Sequence, residues 1–255
     1  MMKASLIPLL IISSILLTSC QTMHTDPEVT SKRAKFHYQI GMDSLQRGQL
    51  PKAFDELMQA NKALPGQSAT LSALAYAWRL QGDMEKSEDF YKQSIAAGPA
   101  SEVYTNYGSL LVSLKRFREA ETILHKALED PRYRKQYIAL LLLGDALLGQ
   151  NHADDAIQSY HRAVMMNPSS KSISQIKEAQ AYIQTGRLHY AQGLYETMLR
   201  QDPTLRPALQ GLLKLLVQQD DILAARKHLA NYIEKEKAPL NRAWASDELT
   251  RLGRL

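Results

Sequence analysis

Seven histidines, one cysteine and the acidic pair Asp154-Asp155 are the residues of this 255-residue chain best equipped for chemistry. Metal binding needs imidazoles or thiolates that converge, yet His152 and His161 stand nine apart, with no HExxH spacing and no His/Cys cluster. No GxSxG, P-loop or GxGxxG sequence occurs, so neither a nucleophile elbow nor a phosphate cradle is encoded. Asp154-Asp155 reads as lying in a turn beside a helix, where carboxylates favour the helix N-terminus; the pair reads as structural rather than as an acid/base couple. What remains is the thiol of Cys20, which as the sole cysteine cannot close a disulfide within one molecule. The chain is therefore expected to be no enzyme, with no cofactor, no metal and no small-molecule substrate.

Cys20 ends the stretch MMKASLIPLLIISSILLTSC, in which Lys3 precedes an apolar run from Leu6 to Leu17. That run is too short to span a bilayer comfortably and predicts a signal peptide over residues 1–19 rather than a transmembrane anchor. Leu17-Thr18-Ser19-Cys20 resembles the lipobox of bacterial lipoproteins. The resemblance implies that Cys20 carries acyl chains, palmitate among them, and becomes the first residue of the mature chain. Each buried methylene contributes about 0.8 kcal/mol, so several chains make attachment durable. Gln21 follows in place of an aspartate, which in such lipoproteins implies delivery to the outer membrane, facing the periplasm. Residues 20–33 read as the lipidated cysteine and a polar tether.

The rest of the chain has the composition of a folded protein, 45% hydrophobic and 22% charged. Its net charge of +5 is mild and its basic residues are interspersed with acidic ones, without the aromatic-interleaved basic platform that nucleic-acid binding requires.

Positioning is supplied by a repeat. Ser101 to Tyr133 reads as two amphipathic helices joined by a tight turn, with Asn106-Tyr107-Gly108 in the first and Ala120 and Ala127 in the second. Small residues at these offsets let the two helices approach closely, and Asp130-Pro131 stops the second. Copies begin near residues 34, 68, 101, 137, 172 and 206, a period of 33 to 36 that marks tetratricopeptide repeats. Other marks are Gly41, Ala53 and Pro65; Ala75, Tyr91 and Pro99; Gly144, Ala156 and Pro168; Ala179, Ala191 and Pro203; and Leu213 and Ala225. The expected fold is all-α: a right-handed tetratricopeptide repeat solenoid with six helix-turn-helix repeats over 34–239 and a C-terminal capping helix over 240–255.

In such arrays the first helix of each repeat lines a concave groove. The groove positions of the first two repeats are Lys35, Tyr38, Met42, Leu45, Tyr76, Arg79 and Leu80, an apolar and aromatic set suited to a helix or extended peptide. Packing of Tyr38 and Leu45 against the tether or against adjacent helices stays open as an alternative. A second contact could use Asn106, Tyr133, Ile138, Leu141 and Ile176, with Leu148, Ile173 and Ile183 continuing the strip; equally, the all-apolar Leu140 to Leu143 fits a buried helix. Tyr38 and Met42 stand where a carboxylate clamp would need lysine and asparagine, which disfavours capture of a chain terminus.

Lipobox, tether and six repeats together resemble the PilF/PilW family of outer-membrane lipoproteins, the pilotins of type IV pilus biogenesis. The third repeat carries much of the likeness, through Asn106-Tyr107-Gly108, Lys115-Arg116-Phe117, Glu119-Ala120, Leu128, Asp130-Pro131 and Tyr133. The resemblance implies a protein partner, the pilus secretin, and a role in its outer-membrane localisation or assembly, with the lipid anchor raising the local concentration of both. A general envelope adaptor that recruits peptidoglycan hydrolases or other envelope complexes would use the same anchor and solenoid.

Overall fold

The computed structural model describes residues 26–98 and 100–254. The signal peptide, Cys20 and its lipobox, Pro99 and Leu255 lie outside the described residues. Thirteen α-helices and one 3-10 turn at Pro168–Ser170 are present, with no strand among the described residues. Twelve of the helices form six antiparallel pairs. These are α1 (Pro27–Gln46) with α2 (Leu50–Ala63), α3 (Ser68–Gln81) with α4 (Met84–Ala97), and α5 (Ser101–Ser113) with α6 (Phe117–Leu128). They continue with α7 (Gln136–Gly149) and α8 (Ala153–Met166), α9 (Lys171–Gln184) and α10 (Leu188–Gln201), and α11 (Arg206–Gln218) and α12 (Ile222–Lys235). The last helix, α13 (Pro239–Leu252), packs on α12 and buries Ala245 and Leu252 against it, which makes it the terminal cap.

One boundary differs from the sequence expectation. Residues 27–33, read as tether, are the opening turns of α1. Asp26 caps this helix by accepting from the Glu28 N–H at 2.8 Å, and Pro27 supplies a fixed φ at a position whose N–H would have gone unpaired.

Within a pair, contact is close because the first helix lacks a side chain where the second crosses it. A Cβ at Gly41, Gly108 or Gly144 would run into Leu57, Leu124 or Tyr160, each 16 residues further on. Fully buried Ala53, Ala120, Ala156, Ala191 and Ala225 give the matching clearance on the second helices. The turn inside each pair is built the same way six times, around a left-handed residue at Gly48, Gly82, Lys115, Asn151, Gly186 and Asp220. In each, the following N–H reaches back to a carbonyl in the last turn of the first helix, as in Arg116 to Leu111 at 2.9 Å, which closes a Schellman cap.

Successive first helices touch along the whole array, α1 on α3, α3 on α5, α5 on α7, α7 on α9 and α9 on α11, while among the described residues no two second helices make comparable contact. The first-helix row is thus the shorter, inner arc, and its outward-facing side chains line the concave face. The apolar interior divides along the array. One cluster joins α1 to α3, a second runs from α3 to α8, and a third from α9 to α13, with a small cluster of Ala153, Ile157 and Ala181, flanked by Leu148 and Tyr182, packed across the boundary at α9. Polar ties hold that boundary as well: Lys177 pairs with Asp145 at 2.7 Å, His161 with Glu178 at 3.0 Å and Arg187 with Asp154 at 2.8 Å.

Candidate partner-binding face

On the concave face, α3 presents two exposed apolar side chains. Tyr76 and Leu80 are four residues apart, hence on one side of the helix, and stand 41% and 49% exposed. Arg79 lies beside them and its guanidinium donates to Ser109 Oγ of α5 at 3.0 Å, so one repeat holds the cation for use on the next. Beneath these residues the Tyr91 ring is fully buried; burial raises its phenol pKa, and the positive charge of Arg79 partly opposes that rise.

On α1, Lys35 is exposed, while Tyr38 and Met42 are half-buried against the cluster of Leu57, Leu74 and Ala77. Burial raises the Tyr38 phenol pKa, and the negative charge of Glu102 of α5 adds to the effect. Glu102 is in turn paired with Lys135 at 2.7 Å. Leu45 requires a correction. It is only 7% exposed and belongs to the core, because Ala73, Leu74 and Ala77 of α3 stack over this position and close the groove above it.

The second expected strip is also reduced. Leu141 is 8% exposed and buried within the apolar Leu140 to Leu143 run of α7, with Leu140, Leu143 and Leu147 in the same cluster. Ile176 and Ile183 pack partly against the C-terminal cluster, Ile138 is half-buried, and Ile173 alone of the strip is well exposed. Asn106 is partly buried in α5. Tyr133 is no free contact either: its ring packs on the central cluster, and burial raises its phenol pKa although a hydrogen bond with Thr105 acts the other way. Of the three cations around it, Arg132 is held by Asp130 at 3.0 Å and Lys135 by Glu102. Asp154 and Asp155 lie within the first turn of α8 rather than in the turn before it.

Sequence reasoning missed a cleft further along the same face, between α9 and α11. It is lined by Gln180, Ile183, Lys214 and Gln218, with Tyr195 of α10 at its floor and Gly211 at its wall. The signal that could have found it is a comparison of the fourth and fifth repeats, where Asp145 is replaced by Gln180 and, one repeat after Lys177, a glycine stands at 211.

Against this geometry the likenesses to known proteins can be set. Residues 108–171 match the tetratricopeptide repeat family. The type IV pilus assembly protein PilF of Pseudomonas aeruginosa is 26% identical over 178 residues, which cover 68% of this chain and 69% of PilF. Among solved structures, one from a functional characterisation of Pseudomonas aeruginosa PilF aligns with a TM-score of 0.68 at 19% identity, covering 86% of this chain and 99% of that one. PilW, described as a widely conserved type IV pilus biogenesis factor, aligns with a TM-score of 0.72 at 21% identity, over 79% of this chain and 93% of its own. By its six helix pairs and curved first-helix row, the chain has the fold of a tetratricopeptide repeat solenoid and is similar to PilF.

Proposed function

We propose that this chain is an assembly factor of the type IV pilus that works by holding a polypeptide on its concave face rather than by catalysis. The observation that carries the reading is the exposed Tyr76 and Leu80 pair beside the tethered Arg79 on the inner arc, in a chain similar to PilF. Aromatic and aliphatic anchors flanked by a cation suit the apolar side of a bound segment, because they bury area at little cost in side-chain entropy. The partner in this reading is the pilus secretin, and Cys20 carries the lipid that confines the solenoid to the outer membrane, where the secretin must assemble. Confinement raises the effective concentration of the two without any further contact.

Deleting the gene tests the reading. Loss of heat-stable secretin multimers from outer-membrane fractions, with loss of surface pili, is the expected result; normal multimers and normal piliation would overturn it. Cys20→Ser is expected to release the protein from the outer-membrane fraction, and unchanged fractionation would remove the anchor from the account.

A further inference from the structure

In the fourth repeat, the Tyr160 hydroxyl donates to Asp145 Oδ1 at 3.0 Å, and Lys177 from the next first helix donates to both oxygens of the same carboxylate at 2.7 Å. A phenol and an ammonium from successive repeats thus enclose one carboxylate, supplied by the protein itself. One repeat further on, the phenol is kept as Tyr195, 35 residues after Tyr160, but the carboxylate is gone, because residue 180 is glutamine where residue 145 is aspartate. Gly211 occupies the place of Lys177, counted from the repeat starts at 172 and 206, and a cation returns one turn later as Lys214.

The result is an open cleft of about 240 Å³ in place of a filled one. A Cβ at Gly211 would run into the Tyr195 ring and its hydroxyl, so the glycine lets α11 lie directly on the phenol. Tyr195 is 2% exposed, and its hydroxyl faces this cleft without bonding to any group among the described residues, as Lys214 also does not. Burial raises the Tyr195 pKa, so at neutral pH the hydroxyl keeps its proton and is a donor. The site therefore presents the O–H of a buried phenol ring, an ammonium and the side-chain amides of Gln180 and Gln218, with no carboxylate among its lining residues.

We infer that the cleft between α9 and α11 takes an aspartate or glutamate side chain of the bound polypeptide, seated as Asp145 is seated in the repeat before. A side chain is favoured over a chain terminus because the face continues past Lys214 into a second depression lined by Val217, Trp244, Arg251 and Glu248, whose carboxylate is held by Arg251 at 2.8 Å, so a bound chain runs across the cleft instead of ending there. This rests on the reading that the concave face holds a polypeptide, and it places an acidic anchor between the fifth and sixth repeats, with the apolar one at Tyr76 in the second.

The test uses the full chain in detergent micelles, titrated with N-acetyl-glutamate N-methylamide while NMR follows the Tyr195 ring and the side-chain amides of Gln180 and Gln218. Saturable shifts of all three are expected, weakened about tenfold when the glutamine analogue replaces the glutamate or when Lys214→Met or Tyr195→Phe is introduced. Gln180→Asp is expected to fill the cleft with its own carboxylate and abolish the response. Equal response to the glutamate and glutamine compounds, or full binding by Lys214→Met, overturns the assignment. Dipeptide binding in a chain whose deletion leaves the secretin untouched would keep the cleft and discard the pilus reading; the reverse pattern would keep the pilus reading and discard the cleft.

Discussion

Single residues decide how tightly each repeat closes. Gly144→Ala pushes a methyl group into the Tyr160 ring, and overpacking of this kind costs about 1–3 kcal/mol, more than the helix propensity gained. Gly193 in α10 has open space where a Cβ would stand, so Gly193→Ala is expected to stabilise by about 0.5–1 kcal/mol. Thermal unfolding of the two variants should move in opposite directions, and a common direction would contradict the close-approach account. Glu88 gives a pH-dependent case. Hydrogen bonds from Arg116, above all, and from Lys92 and Tyr107 hold its carboxyl at about 2, against an ordinary 4.5. A carboxyl with a depressed folded-state value stabilises the fold above pH 4.5, and that contribution fades as pH falls toward 2. Glu88→Gln is expected to cost about 2 kcal/mol at neutral pH. Paired denaturation curves should converge with wild type near pH 2; a gap of constant size down to that pH would show the ion pair to be unimportant. At this scale the sequence was legible wherever a helix's own periodicity sets the outcome, as at Ala120 and Ala127. It was not legible at Leu45, whose burial is decided by α3 stacking over it, a contact that no local pattern encodes.

The element that recurs without exception is the turn inside each pair. Its left-handed residue is glycine three times, and is Lys115, Asn151 and Asp220 in the other repeats. Asparagine and aspartate tolerate this region through local hydrogen bonds, whereas lysine has no such relief and bears the conformational cost. Lys115→Gly is therefore expected to raise stability by up to about 1 kcal/mol, and Gly82→Ala to lower it by about 1 kcal/mol. Thermal midpoints check both, and a loss of stability in Lys115→Gly would mean that the lysine side chain contributes more than its backbone costs. Helix pairs and their period were readable because small residues, turn and proline recur together every 33 to 36 residues. The start of α1 was not, since the polar residues 27–33 carry no apolar stripe and the cap at Asp26 with Pro27 is what sets the helix going.

Across the whole molecule, contact along the first-helix row bends the array, and the concave face gathers residues from repeats distant in sequence. Tyr76, Leu80 and Arg79 mark one end of that face, and the Tyr195 cleft marks the other. Part of the expected groove is structural, with Leu45 and Leu141 enclosed and Tyr38 and Met42 half-packed. Alanine at Tyr38 would therefore disturb packing as well as binding. Tyr76 and Leu80 carry the claim cleanly because they are exposed and their loss leaves no cavity. The affinity of the full chain for the proposed secretin partner, compared with that of Tyr76→Ala/Leu80→Ala, is the most direct measurement. At unchanged helix content and thermal midpoint, binding by the double variant is expected to weaken about tenfold or more; equal affinity of the two proteins would contradict a binding role for the concave face.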